Sequence, residues 1–260
     1  MANKISLNST KTDIIYFRKK KTPIPSANIK LNGIKLQQVT DVKYVGIILD
    51  EHMTFECHIK LLNAKLKRSN NLLAISRHYL PKSLLLQIYY GQFFSHLTYG
   101  CQLWGGNDNT ISKTFTLQKK AIRLIAFKDS HEPSSPLFKE LKMLKLSDII
   151  KLNNILFTHA SLNNQTPPIF HSFFKHKQFD NRAINITSTH RNLPGSLEIP
   201  PQSDTSKTSL QFICPSLWNL THRTLSKQYP EKYNKDPQLQ QNISTSSIKQ
   251  ILKQHYLGQY

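Results

Sequence analysis

Acidic residues are few in this chain. Its 260 residues carry 15 Asp plus Glu against 35 Lys plus Arg, a formal charge of +20 with histidine neutral. There is no Asp-Asp pair, and Asp50-Glu51 is the sole adjacent acidic pair. Two neighbouring carboxylates can hold Mg²⁺; such a pair also simply ends a strand or leads into a helix. Cysteine is nearly absent. Cys57, Cys101 and Cys214 are far apart with no C-x-x-C, which excludes a disulfide scaffold and a zinc finger or ribbon and fits a reducing compartment. No Walker loop, G-x-G-x-x-G, H-E-x-x-H or G-x-S-x-G occurs. His171 and His176 are five apart, the wrong offset for one helical face. The opening MANKISLNSTK is polar and lacks the apolar stretch of a secretory signal. An intracellular protein, nuclear or cytoplasmic and not secreted, is expected.

What the chain has instead is basic charge, most of its excess in the first half. That surplus fits a polyanionic partner, such as nucleic acid or an anionic membrane surface. It fits equally a soluble basic protein with no specific partner. Hydrophobic residues make up 38%, below the usual ~45–50%, so a core is expected over part of the length only.

The first 53 residues read as β-rich. DIIYF (13–17) is a short apolar run, and Arg18-Lys19-Lys20-Lys21 with Thr22-Pro23-Ile24-Pro25 breaks any helix. NIKLNGIKL (28–36) sets Asn32-Gly33 between alternating apolar residues, a hairpin signal because both turn positions need φ > 0. VKYVGIIL (42–49) is a further β-prone run whose Gly46 marks a bulge or a close backbone approach.

From residue 54 to 165 the pattern is helical. Thr54 can cap a helix with Phe55, Ile59, Leu62, Leu66 and Leu73 on one face and Lys60, Lys65, Lys67 and Arg68 largely off it. A second helix, 82–98, is apolar on nearly every side, and no Asp, Glu, Lys or Arg occurs from Ser83 to Asn107. Polar residues such as Gln87, Gln92 and Gln102 interrupt any membrane span of ~20 residues, so a buried central helix is expected and no membrane partner. A third helix, 110–127, carries Lys119, Lys120 and Arg123. A fourth starts at Ser135-Pro136, and Ser147 caps a fifth. Thr166-Pro167-Pro168 marks a boundary. Beyond it, short strands are expected within 184–214, for example SLQFIC (209–214), then a solvated loop over 224–243 and a final helix over 246–256. The fold class is therefore α+β: a small antiparallel β part, a mainly helical bundle, and an irregular C-terminal extension (166–260) that ends in a helix.

Read together, several segments resemble the reverse transcriptases of non-LTR retrotransposons, especially the jockey-like group. ANKISLNSTKTDIIYF (2–17) looks like the palm segment just beyond the family's catalytic aspartates. KYVGIILDEHMTF (43–55) is similar to its primer-grip hairpin. LPKSLLLQIYYGQFFSHLTYGCQLWG (80–105), LQKKAIRLIA (117–126), LFKELKMLKLSDIIKL (137–152) and LWN (217–219) resemble the helical region that follows. The family's Phe/Tyr-Ala-Asp-Asp motif has no counterpart here.

The resemblance implies a partial palm (1–53), a thumb-like region (54–165) and a C-terminal extension. It implies a template–primer duplex of RNA and DNA as partner, together with the catalytic part of the polymerase. Mg²⁺ would serve that catalytic part, with no metal held by this chain, so no nucleotidyl transfer is expected from this polypeptide alone. By the same resemblance, Lys43, Tyr44, Val45 and Gly46 match the primer grip. Lys11 matches a palm lysine that protonates or neutralises leaving pyrophosphate; the alternative is a plain surface lysine. Lys60, Lys65, Lys67 and Arg68 would track duplex backbone, with Lys119, Lys120 and Arg123 as a second patch. The alternatives are a non-catalytic nucleic-acid-binding protein derived from a retroelement, and a relic without activity.

Overall fold

The computed structural model describes residues 8, 11–25, 28–106, 108–175, 196–200, 209–228 and 245–260. The chain divides into two compact units, Met1–Lys65 and Leu66–Tyr260.

The first unit holds three two-stranded ladders. β1 (Asp13–Ile14) runs parallel to β4 (Gln37–Gln38). β2 (Lys30–Leu31) and β3 (Ile34–Lys35) form the Asn32-Gly33 hairpin, with φ of 52° and 80° at the two turn residues. β5 (Asp41–Tyr44) and β6 (Ile47–Asp50) form a longer antiparallel hairpin. The run over 42–49 is thus two strands rather than one. Gly46 is a turn residue at φ 82°, not a bulge.

Helix α1 (Glu56–Ser76) begins in the first unit and continues into the second. Phe55, Ile59, Leu62, Leu66 and Leu73 are buried along one stripe, as their spacing predicts. The long charge-free segment forms α2 (Lys82–Ile88), a π-helical turn (Tyr89–Phe94) and α3 (Ser95–Thr98), followed by α4 (Cys101–Trp104). Leu85, Tyr89, Phe93 and Leu97 are all buried at intervals of four. An α-helix turns about 100° per residue, so a four-residue repeat would rotate off the core. The wider π turn keeps the line in register. The other side is solvent-facing, with Gln87, Tyr90, Gly91, Gln92 and Ser95 exposed. The segment is therefore half-buried, not enclosed all round. Among the described residues, no helix is long and apolar enough to cross a membrane.

The rest of the second unit assembles α5 (Asp108–Ile125), α6 (Ser134–Glu140), α7 (Leu146–Leu162), α8 (Leu210–Gln228) and α9 (Thr245–Gly258). Helix α7 packs against α4, α8 and α9. Gly105 sits where a Cβ would fall 2.4 Å from the Cys101 carbonyl and 2.7 Å from Ile150, so a side chain cannot enter. Fully buried Gln118 ties three elements. Its Nε2 donates to the Tyr89 hydroxyl (3.2 Å) and the Leu144 carbonyl (3.0 Å), and its Oε1 accepts from the Leu146 N–H (2.8 Å). The last bond places the start of α7 at Leu146, so Ser147 is exposed inside the helix and does not cap it.

Residues 209–214 are not strand. They open α8, where Cys214 and Trp218 are buried one turn apart. Residues 224–228 end that helix, so only 229–243 of the expected loop remains, outside the described residues. His176 and positions 184–195 and 201–208 of the expected strands also lie outside them. The LWN segment has a packing role. Trp218 stacks on His159 at 6.3 Å, and the Asn219 amide accepts from the Leu197 N–H (2.7 Å) and donates to its carbonyl (2.9 Å). At the C-terminus the Tyr260 hydroxyl donates to Asp148 (2.5 Å) and accepts from the Lys145 N–H (2.9 Å), pinning the end of the chain to the start of α7.

Candidate nucleic-acid interface

The β5–β6 hairpin pairs Asp41 with Asp50 at its base and Tyr44 with Ile47 at its tip. Val45 and Gly46 form the turn, with φ of 46° and 82°. Two successive left-handed residues match the right-handed twist of the strands. For valine, however, that region is a steric outlier, because its branched Cβ crowds the backbone. The side chains gain nothing from burial there: Tyr44 is 67% and Val45 69% exposed, and Lys43 is exposed beside them. An apolar, strained, solvent-facing tip contributes little to folding, and such outliers concentrate at functional sites.

The base of the hairpin is held by Asp50. Its Oδ1 accepts from the His52 N–H (3.1 Å) and Thr54 N–H (3.0 Å), and its Oδ2 accepts from the Phe55 N–H (2.6 Å). This carboxylate closes a loop in which Met53 and Phe55 both have positive φ. It does most of the capping expected of Thr54, whose hydroxyl reaches the Glu56 N–H only at 3.5 Å. Partial burial raises the Asp50 pKa, but the backbone donors of Thr54, Phe55 and His52 outweigh it, so the group lies below the ordinary carboxylate value. Glu51 pairs with Arg18, Nη2 to Oε2 2.9 Å and Nε to Oε2 3.0 Å. Both acids are thus engaged with protein donors.

The same corner titrates. His58 is buried, and its Nδ1 lies 3.4 Å from the Ile48 N–H. Burial, and secondarily Lys65, hold its pKa below the ordinary histidine value of 6.5. A depressed pKa means the unfolded chain binds more protons, so this stability is complete above pH 6.5 and is lost as pH falls through the lower folded value. Asp50 adds a second loss at more acidic pH, below 3.8. Urea midpoints followed by hairpin reporters at pH 7.5, 6 and 5 should therefore decline, and His58→Gln should flatten the first step. A midpoint independent of pH over that range contradicts this arrangement.

On α1, Lys60, Lys65, Lys67 and Arg68 are all exposed and point away from the buried stripe. Leu61, Leu72 and Ile75 share the outward side, 43%, 44% and 64% exposed. The second patch is less open. The Lys119 ammonium lies 4.5 Å over the Phe115 ring, and Arg123 Nε donates to the Glu132 carbonyl (2.7 Å), leaving Lys120 as its exposed member. Lys11 is exposed, its N–H bonded to the Asn8 carbonyl (3.2 Å).

The chain resembles known proteins in sequence. The chain is 28% identical over 179 residues to a probable RNA-directed DNA polymerase from the transposon X-element of Drosophila melanogaster. It is 29% identical over 168 residues to the RNA-directed DNA polymerase from the mobile element jockey of the same fly. Its curated relatives are mobile-element polymerases. A third, from the jockey element of Drosophila funebris, is 29% identical over 152 residues. The matches cover 63%, 63% and 56% of this chain but only 19%, 18% and 16% of those polymerases. The chain therefore spans under a fifth of their length. No protein-family model matches, and no solved structure does.

Two residues that position these segments are not marked as such by the motifs. Asp50 stands in the sequence as half of an acidic pair, although an Asp just before a helix start is itself a capping signal. Asn219 stands out only as part of LWN. Its backbone partner Leu197 is 22 residues away, and nothing local announces it.

Proposed function

We propose that this chain supplies the primer-gripping and duplex-tracking part of an RNA-directed DNA polymerase of a jockey-like mobile element. The observation that carries this reading is the hairpin tip, where a strained Val45 and an exposed Tyr44 stand clear of any core. Gly46 lets the turn backbone approach a strand closely, Tyr44 packs on sugar or base, and Lys43 neutralises a phosphate. Helix α1 carries Lys60, Lys65, Lys67 and Arg68 along the duplex backbone without reading sequence, and Lys120 is the exposed member of a separate second patch. Lys11 would neutralise the pyrophosphate that leaves in the intact polymerase. The partners are a template–primer duplex and the remainder of the polymerase, and the chain acts inside the cell, in nucleus or cytoplasm.

On this reading the chain binds without transferring nucleotides, since its one adjacent acidic pair, Asp50-Glu51, is bonded to backbone donors and Arg18. Duplex binding tests it. Each phosphate contact contributes a slope of about −0.9 in log affinity against log salt. Changing Lys60, Lys65, Lys67 and Arg68 together to Gln should flatten the slope by about 3.6. An unchanged slope removes α1 from the interface.

A further inference from the structure

We propose that the turn Lys19-Lys20-Lys21 is a phosphate-binding platform that meets the template–primer backbone beside the hairpin whose tip grips the primer. This rests on the proposed duplex binding and adds a contact outside the residues assigned to it. Arg18-Lys19-Lys20-Lys21 is the only run of three or more consecutive cations in the chain. The fold divides that run. Arg18 turns inward as an anchor, and the three lysines are exposed. Among the described residues, none of the three enters an ion pair.

The anchor fixes the turn at several points. The Arg18 N–H donates to the Glu51 carbonyl (2.9 Å), and the Arg18 carbonyl accepts from the His52 ring nitrogen Nδ1 (2.9 Å). Its guanidinium reaches Glu51 Oε2 through Nε (3.0 Å) and Nη2 (2.9 Å), with both side chains 17% exposed. Nη1 donates to the Thr22 carbonyl (2.7 Å), and the Thr22 N–H donates to the Lys19 carbonyl (2.9 Å). One side chain thus ties both ends of the turn, and Pro23 restricts the exit. Three ammonium groups are held side by side, where they repel one another. The adjacent Glu51 does not offset that repulsion, because it is already paired with Arg18. A polyanion does offset it.

The position of the turn selects the polyanion. Glu51 follows directly on β6, about 17 Å along the chain from Gly46 at ~3.3 Å per residue. The turn and the tip belong to the same unit, and both fall within one helical repeat of a duplex, ~34 Å. Phosphates recur at a set spacing along a strand, and a cluster held rigid meets them at little ordering cost. An acidic protein surface would also attract three ammonium groups, but it gains nothing from their fixed place beside the hairpin.

Salt titration of the full chain on a primed RNA–DNA duplex tests this. Changing Lys19, Lys20 and Lys21 together to Gln should flatten the slope of log affinity against log salt by about 2.7. Between about 50 and 200 mM salt, wild type should lose about 40-fold more affinity than this variant. All three side chains are exposed and outside every helix and ladder, so the variant folds; its denaturant midpoint should equal or exceed that of wild type. A control changes three exposed lysines of the second unit, Lys139, Lys249 and Lys253, to Gln. It removes the same charge and should keep the wild-type slope. A wild-type slope in the turn variant overturns the proposal and leaves the turn to an acidic protein or to solvent. Equal flattening in the control also overturns it, because net charge alone then sets the slope. If the turn variant keeps its slope while the variant of Lys60, Lys65, Lys67 and Arg68 does not, the turn is excluded and the α1 reading stands. A wild-type chain that fails to bind the duplex at low salt overturns both.

Discussion

Replacing Val45 with Asn should stabilise the first unit by about 1 kcal/mol and, at the same time, weaken binding to a primed RNA–DNA duplex several-fold. The stability gain comes from relieving backbone strain, the binding loss from removing the valine side chain from the proposed primer contact. Val45 sits at φ 46° with its side chain 69% exposed, so the backbone carries a strain that no burial repays. Asn adopts the left-handed region readily and, before Gly46, gives the turn its favoured Asn-Gly pair. If the tip only joined two strands, relieving the strain would raise stability and leave binding untouched. Denaturant midpoints and fluorescence anisotropy on the same preparations distinguish the cases. Loss of stability in Val45→Asn would mean that valine is held there by contacts rather than tolerated.

The largest stability effect is expected at Gln118. In Gln118→Ala, the Leu144 carbonyl and Leu146 N–H both lose a buried partner, the Tyr89 hydroxyl loses its donor, and a cavity opens between the π turn, α5 and the start of α7. Unmet buried groups cost about 1–3 kcal/mol each, and partial relaxation leaves about 3–5 kcal/mol in total. For a unit of this size that lowers the melting temperature by roughly 10 °C. Gln118→Met, which keeps the volume, should recover only the cavity share. A melting temperature within a degree or two of wild type for the alanine variant shows that water or a rearranged turn serves these groups instead.

What could be read in the sequence follows from how local the cause is. The Asn32-Gly33 hairpin was legible because both residues announce positive φ. The Val45-Gly46 hairpin was hidden from local reading because valine is a strand former, and only resemblance to a primer grip exposed it. The stripe of α1 and the buried face of α9, Ile248, Leu252 and Tyr256, follow helical spacing. The start of α7 does not, since it is set by a side chain 28 residues upstream. Residues 209–214 alternate in polarity like a strand, and their helical partner Trp218 lies beyond that window. In the candidate site, the outward lysines of α1 were legible by exclusion from its apolar stripe. The engagement of Asp50 by three backbone N–H groups was not, because it depends on the positive φ of the loop that follows.

The central claim is that the tip of the β5–β6 hairpin lies against the primer strand. A photo-crosslinking aromatic placed at Tyr44, in the full chain bound to a primed RNA template, tests it most directly. The account predicts crosslinks confined to the last few nucleotides at the primer's 3′ end, lost when the duplex is blunt or unprimed. Crosslinks spread evenly along the duplex, or none while binding persists, would contradict it.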